Sequence, residues 1–200
     1  MTIYDLKPAF QNLLRPACRA LAGAGITANQ VTIAALLLSF VVGALFALNP
    51  QAAWAALLVP VWLFLRMALN AIDGMLAREH DMQSALGGFL NELSDVAADA
   101  ALYLPFALVP GVSASLIVTV VVFSILTEMA GVVAVQVGAS RRYDGPLGKS
   151  DRAFVFGLLG LLFGVGVEPG WWVNALLGVV AALTVLTVVN RVRRGLGELR

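Results

Sequence analysis

The sequence predicts an all-α, polytopic membrane protein with six transmembrane helices preceded by an amphipathic helix on the membrane surface. Hydrophobic residues make up 60% of the 200 residues, charged residues only 12%, and the mean hydropathy is +0.89. A soluble domain is about half apolar and about a quarter charged. The apolar residues form long runs, and the basic residues gather at one set of run ends. We expect residues 1–200 to form one membrane domain, with the bundle over 30–192.

The first predicted helix, residues 3–23, is expected to lie on the membrane surface. Apolar residues such as Leu6 and Leu21 recur along it at helical spacing. Lys7 and Arg15 lie among them and can face anionic lipid headgroups. The chain therefore opens with a charged amphipathic segment, and we expect no cleavable signal sequence.

Six predicted spans follow the surface helix. Each approaches the length of about 20 mostly apolar residues that a bilayer crossing needs, and the fifth is the shortest. The breaks between them carry proline, glycine or polar residues, as at Asn49-Pro50 and Pro110-Gly111. The predicted spans are 30–49, 53–77, 85–108, 112–138, 150–167 and 170–192.

Basic residues predict the orientation of the bundle. The loops near residues 50, 110 and 168 hold no Lys or Arg, and Arg66 lies inside the second span. Basic residues mark the cytoplasmic side, so both termini are expected there, in a bacterial-type inner membrane. The basic residues at the cytoplasmic ends are Lys7, Arg15, Arg19, Arg78, Arg141, Arg142, Lys149, Arg152, Arg191, Arg193, Arg194 and Arg200.

The composition also excludes several kinds of site. Cys18 is the single cysteine, so an internal disulfide and metal sites built on cysteine pairs are excluded. The formal net charge of +1 gives no indication of a nucleic-acid partner, and none is expected.

Polar side chains within the second and third spans indicate a functional site. An uncompensated charge at the bilayer centre costs about 2.5–3.5 kcal/mol, so several need cations or a water-filled cavity. Helical spacing puts them on one face of each span, and a short loop joins the spans, so the two faces should meet. Oxygen ligands from two helices suit Mg²⁺ or Mn²⁺. These residues are Arg66, Asn70, Asp73, Asn91, Glu92, Asp95 and Asp99.

A motif covers both polar faces. The run from Asn70 to Arg78 (NAIDGMLAR), then eight residues, Gly87, three residues, Asn91, three residues and Asp95 keeps one fixed spacing. It resembles the signature of the CDP-alcohol phosphatidyltransferases, D-x2-D-G-x2-A-R-x8-G-x3-D-x3-D. The residues that match in kind are Asp73, Gly74, Ala77, Arg78, Gly87 and Asp95.

Two other segments extend the resemblance. Residues 27–32 (TANQVT) resemble the family's T-P-N-x-x-T entrance to the first span, and 148–152 (GKSDR) resemble the basic stretch that opens the fifth. The family usually has six spans and an N-terminal surface helix, as predicted for this chain. The resemblance thus covers most of the chain and implies a homodimer.

Two positions depart from the signature. Asn70 and Asn91 stand where it has its first and third aspartates. In the family the four aspartates bind two metal ions, so the resemblance implies Mg²⁺ or Mn²⁺, with two ions expected. Asp73 would be the principal ligand, with Asp95 beside it and the two asparagines as weaker, uncharged ligands. Glu92 is hypothesised to restore one of the missing charges.

The resemblance also implies an activity. It is the metal-dependent transfer of a phosphatidyl or other substituted phosphate group from CDP-diacylglycerol or a related CDP-alcohol to an alcohol. CMP is released, and the products are phospholipids. Asp95 is expected to be the base that accepts the hydroxyl proton. The acceptor stays open, as does the direction of transfer between a lipid and a polar alcohol.

Further residues are expected to contact the substrates. The resemblance puts Gly74, Ala77, Arg78 and Gly87 near the nucleotide. Asn29 and Thr32 either contact the nucleotide or cap the first span. Lys149 and Arg152 either contact phosphate or are ordinary positive-inside loop charges.

Two deeper charges are assigned to the acceptor cavity. Arg66 is either a counter-ion, for Glu128 or for the acidic site, or a group that binds an anionic acceptor or lipid phosphate. Asp99 lies one turn deeper than Asp95 and is expected to line the acceptor cavity.

Two other functions compete with the transferase. A cation-coupled transporter also uses intramembrane acids, but here the acids cluster near one side and in two spans. A catalytically impaired family member that binds lipid or nucleotide is suggested by Asn70 and Asn91, whereas retention of Asp73 and Asp95 favours an enzyme.

Overall fold

A computed structural model describes the backbone of residues 3–199 and the side chains of residues 9–199. Within that part the chain is entirely helical, with no strand, which confirms the all-α class. Arg200 and the side chains of Leu6 and Lys7 lie outside the described residues. The helices are α1 (Ile3–Gly23), α2 (Ala28–Leu48), α3 (Ala53–Glu79), α4 (Ala85–Tyr103), a 3-10 helix (Leu104–Leu108), α5 (Ala114–Gln136), α6 (Lys149–Gly164) and α7 (Trp171–Glu198).

The third predicted segment, 85–108, is not one continuous α-helix. It is α4 followed by the 3-10 helix. Pro105 has no N–H to donate to the carbonyl of Ala101, so the α-helix cannot continue through this point. That carbonyl instead faces Gly43 on α2, where a Cβ atom would lie 2.1 Å from the oxygen. The glycine therefore permits α2 and α4 to pack closely.

Four of the described helices are long and apolar enough to cross a membrane: α2, α3, α5 and α7. The other two predicted spans do not have this length and apolar composition, each for its own reason. α6 has only 16 residues, and α4 carries Glu92, Asp95 and Asp99. Leu37, Phe64 and similar side chains are more than half exposed along the helices, as expected for surfaces that contact lipid.

Aromatic rings form the core that holds α6 against the rest of the bundle. The rings of Tyr103 and Phe156 stack with centroids 4.0 Å apart. Phe106 packs edge-on against Phe46 at 4.9 Å. Helix α3 packs between α2 and α6, α2 also contacts α4, and α5 packs on α7. The core therefore fixes the relative positions of α3, α4 and α6, which carry the site.

Helix α1 packs against α3 through a second, smaller core. Cys18 is 1% exposed and lies in a cluster with Val31 of α2 and Met75 of α3. Arg15 also pairs with Glu79 at the end of α3, with 2.6 Å between nitrogen and oxygen. These contacts hold α1 beside the end of α3 that carries the motif.

Candidate active site

The polar faces of α3 and α4 meet, as the spacing predicts. Arg66 donates to Asp99 over 2.5 Å and to Asp95 Oδ1 over 3.1 Å. The amide nitrogen of Asn70 also donates to Asp95 Oδ1, over 3.0 Å. Arg66 is 4% exposed and acts as counter-ion of the acidic site. Its predicted alternative partner, Glu128, pairs with other arginines.

Lys149, the first residue of α6, completes the surroundings of Asp95. Its Nζ forms an ion pair with Asp95 Oδ2. Both carboxylate oxygens of Asp95 are therefore engaged, one by Arg66 and Asn70 and the other by Lys149. The sequence left Lys149 as either a phosphate contact or an ordinary positive-inside charge, and it did not predict this contact with Asp95.

Asp73 lies on the same face of α3 and is held by α2. Its Oδ2 accepts a hydrogen bond of 2.8 Å from the hydroxyl of Thr32, and the residue is 6% exposed. Neither Thr32 nor Asn29 caps α2, so that alternative is wrong. The cap is Thr27, which forms a capping box with Gln30.

The residues predicted to contact the nucleotide line one cavity of about 350 Å³. The absence of side chains at two glycines shapes it. A Cβ on Gly74 would lie 3.0 Å from the guanidinium of Arg78, and a Cβ on Gly87 would lie 2.8 Å from Asn29 Oδ1. We call this space the nucleotide cavity; its lining includes Asn29, Thr32, Asp73, Gly74, Ala77, Arg78 and Gly87.

A groove of about 630 Å³ runs between α3 and α6. Most of its lining is apolar, including Pro60, Phe64 and Leu158. Its polar part is formed by Arg66, Asn70, Lys149 and Ser150. We call it the apolar groove.

A third space of about 330 Å³, the polar cavity, lies among α4, α6 and the loop before α6. Asn91 lines both the polar cavity and the nucleotide cavity, and Lys149 lines both the polar cavity and the apolar groove. The polar cavity, which Asp95 lines, thus adjoins both other spaces. The polar cavity is lined by Asn91, Glu92, Asp95, Glu128, Arg141 and Lys149, among others.

Glu128 of α5 is the centre of a second charge cluster, which the sequence left unexplained. It pairs with Arg152 at 3.0 Å, Arg191 at 3.3 Å and Arg141 at 3.6 Å. Arg152 is fully buried and also donates to Thr127. Arg152 lines none of the three spaces in this structure, and its contact with a phosphate stays a prediction. Arg141, expected only as one of the basic residues at the cytoplasmic ends, takes part in this cluster.

Two other predicted site residues are engaged by arginines. Glu92 pairs with Arg141 at 2.7 Å, so its carboxylate is not brought to Asp73. Asp99 is 6% exposed and pairs with Arg66. Their roles as metal ligand and acceptor contact remain predictions, and each would require a change of partner.

The side-chain oxygen atoms at the site show which residues could hold a divalent cation. Among the described residues no group of three or more His, Cys, Asp or Glu side chains is placed to hold a metal. Asp73 and the carbonyl oxygens of Asn70 and Asn91 are hard oxygen donors that suit Mg²⁺ or Mn²⁺. They fit one ion. Asp95 is already paired with Arg66 and Lys149, so its carboxylate is a poorer ligand for a second ion.

Comparisons with known proteins agree with the geometry. The chain is 48% identical over 195 residues to inner membrane protein YnbA of Escherichia coli strain K12, covering 96% of each chain. Its fold is similar to that of Mycobacterium tuberculosis phosphatidylinositol phosphate synthase solved with CDP-DAG bound. There the TM-score is 0.75 at 21% identity, over 90% of this chain and 92% of that one.

The same mycobacterial protein, solved with manganese and citrate, gives a TM-score of 0.76 at 20% identity, over 90% of this chain and 87% of that one. The family model for CDP-alcohol phosphatidyltransferase matches residues 25–190. Members of this family are membrane transferases of phospholipid synthesis and use Mg²⁺ or Mn²⁺. The chain therefore belongs to the CDP-alcohol phosphatidyltransferase family.

Proposed function

We propose that this protein transfers a phosphatidyl or other substituted phosphate group from CDP-diacylglycerol or a related CDP-alcohol to an alcohol, releasing CMP, with the help of a divalent metal ion. The adjacency of three spaces carries this proposal: the polar cavity, lined by Asp95, shares Asn91 with the nucleotide cavity and Lys149 with the apolar groove. Each space suits one part of such a reaction: a nucleotide, a lipid and a polar reactant.

The donor would bind across two of these spaces. Arg78 and Asn29 of the nucleotide cavity can donate hydrogen bonds to the cytidine and phosphate oxygens. The apolar groove would take acyl chains, since its lining is largely hydrophobic and its polar part lies at Asn70 and Lys149. The mycobacterial relative solved with CDP-DAG bound supports this class of donor.

A metal ion would be held by Asp73 with the carbonyl oxygens of Asn70 and Asn91. When bound, it would neutralise charge on the donor's diphosphate and on the departing CMP. Thr32 keeps the Asp73 carboxylate oriented through the 2.8 Å hydrogen bond. The metal role is also supported by the manganese in the mycobacterial relative.

Asp95 would act as the general base. The acceptor hydroxyl gives its proton to the Asp95 carboxylate while its oxygen bonds to the phosphorus, and the phosphorus–oxygen bond to CMP breaks. Hydrogen bonds from Arg66 and Asn70 fix the orientation of the carboxylate. The polar cavity, with Arg141 and Lys149 in its lining, would admit the polar reactant.

The surrounding architecture is proposed to be a six-span, single-domain bundle with both termini and the site on the cytoplasmic side of an inner membrane. Helix α4 and the 3-10 helix together, and the shorter α6, would supply the two spans beyond the four apolar helices. Amphipathic α1 would lie on the cytoplasmic surface. The family resemblance also suggests a homodimer.

The experiment is a CMP-release assay on the purified chain in detergent or nanodiscs. CDP-diacylglycerol, Mg²⁺ or Mn²⁺ and a panel of polar and lipid alcohols are supplied, and lipid products are identified by mass. We expect metal-dependent CMP release with one alcohol class and its loss in Asp95→Asn. The matched control is Asp81→Asn, at an exposed position in the loop between α3 and α4. Folded protein without CMP release from any donor and alcohol would refute the proposal.

A further inference from the structure

We propose that this chain binds a single divalent ion, at Asp73, and that the ammonium group of Lys149 takes the place of a second ion beside Asp95. This inference rests on the proposed metal-dependent transferase function and concerns how the positive charge of that site is supplied.

The first argument is that both carboxylate oxygens of Asp95 already have partners. Oδ1 accepts hydrogen bonds from Arg66 at 3.1 Å and Asn70 at 3.0 Å. Oδ2 is paired with Lys149. An ion bound to Asp95 would have to displace one of these donors, and it would then lie within a few ångströms of a cation that repels it.

The second argument comes from the orientation of the Asn70 amide. Its nitrogen, not its oxygen, faces Asp95. An aspartate at position 70 would put a second carboxylate about as close to Asp95, an arrangement that needs a cation between the two acids. Asn70 removes that need because its N–H group makes a hydrogen bond there instead.

The third argument is the charge of the acidic set. Of the four positions 70, 73, 91 and 95, only Asp73 and Asp95 are ionisable. Glu92 and Asp99 do not add free charge, because they pair with Arg141 and Arg66. Lys149 is paired with Asp95, so among the described side chains Asp73 is the one carboxylate of these four positions that has no cationic partner, and it offers a site for one ion.

The position of Lys149 also suits the role of a fixed cation. It is the first residue of α6 and lies where the apolar groove and the polar cavity meet. Its side chain is 30% exposed, so an incoming phosphate can reach it. Lys149 would therefore contact both Asp95 and the phosphate group being transferred.

The test counts bound Mn²⁺ on the purified chain in a non-ionic detergent, with CMP present, from the free Mn²⁺ signal in electron paramagnetic resonance. We expect one tight ion per chain for the unmodified protein and for the control Asp81→Asn, and none for Asp73→Asn. The variant Asn70→Asp/Asn91→Asp should bind two ions. Adding Lys149→Met to that variant should lower the Kd of the second ion by about tenfold or more, because a nearby positive charge is removed.

Two tight ions on the unmodified chain would overturn the inference, and this count needs no variant to fold. A folded Asn70→Asp/Asn91→Asp variant that still binds one ion would overturn the part assigned to the asparagines. If adding Lys149→Met left the Kd of the second ion unchanged, the part assigned to the lysine would be overturned. CMP release is measured on separate portions of the same preparations, without added CMP. Release from a protein that binds two ions refutes only this inference, whereas no bound ion and no release refutes the proposed function as well.

Discussion

Glu128 offers a sharp test of how charge holds this bundle together. Its carboxylate is the shared partner of Arg152, which is 0% exposed, and of Arg191, which is 2% exposed. The substitution Glu128→Gln keeps the shape of the side chain and removes its charge. Two fully buried guanidinium groups would then lose their principal counter-charge.

The magnitude follows from that burial. Removing one partner of a buried ion pair costs about 3–5 kcal/mol, because a buried charge is left uncompensated. For a chain of this size each kcal/mol lowers the melting temperature by roughly 2–4 °C. Glu128→Gln should therefore lower it by roughly 6–20 °C, the product of those two ranges.

The assay is thermal unfolding in detergent, with Glu198→Gln as the matched control. Glu198 also pairs with an arginine, Arg142, at 2.5 Å, but its side chain is 41% exposed. Solvent screens that pair, so the control should change the melting temperature little. Combining Glu128→Gln with Arg191→Gln should cost less than the sum of the two single changes, since it removes an unpaired charge. Equal, small shifts for Glu128→Gln and Glu198→Gln would refute the reasoning.

Two further predictions concern packing and pH. Gly43→Ala should destabilise the bundle by about 1–3 kcal/mol, because the new Cβ would lie 2.1 Å from a backbone oxygen of α4. Gly178→Ala on α7 meets nothing within 4 Å, so it should be neutral or stabilising by up to about 1 kcal/mol; thermal unfolding of both variants checks this, and equal losses would contradict it. Burial opposes ionisation of Asp144, in the loop before α6, but the hydrogen bond from Arg194 and the charge of Arg142 outweigh it and hold the pKa of Asp144 below its usual value. Its stabilisation should thus be complete above about pH 4 and fall as the pH drops further; a stability difference between the protein and Asp144→Asn that grows towards acid pH would show the sign to be wrong.

Much of the site was predictable because its residues lie close together in the sequence. Asn70, Asp73 and Asp95 recur at helical spacing on two segments joined by a short loop, so their meeting needs only two adjacent helices. The residues predicted to contact the nucleotide, such as Gly74 and Gly87, belong to the same motif and line one cavity. Local periodicity and a known signature were sufficient for these positions.

Contacts across long sequence separations were not predictable. The arginine partners of Glu128 come from α6, α7 and the loop before α6, and the pairing of Glu92 with Arg141 joins α4 to the same loop. Arg152 and Lys149 are three residues apart at the start of α6, yet one is fully buried and the other reaches Asp95. Their sequence context is nearly the same, so only the packing of α6 against its neighbours separates their roles.

The sequence by itself determined that this is a membrane protein, that it is helical and which family it resembles. Hydropathy, periodicity and motif spacing are properties of local segments, so they can be read without the tertiary structure. Only the tertiary structure decided which cation pairs with which acid. That choice depends on the rotation and closeness of helices far apart in the chain. It places Arg66 and Lys149 on Asp95 and gives Glu128 three arginine partners.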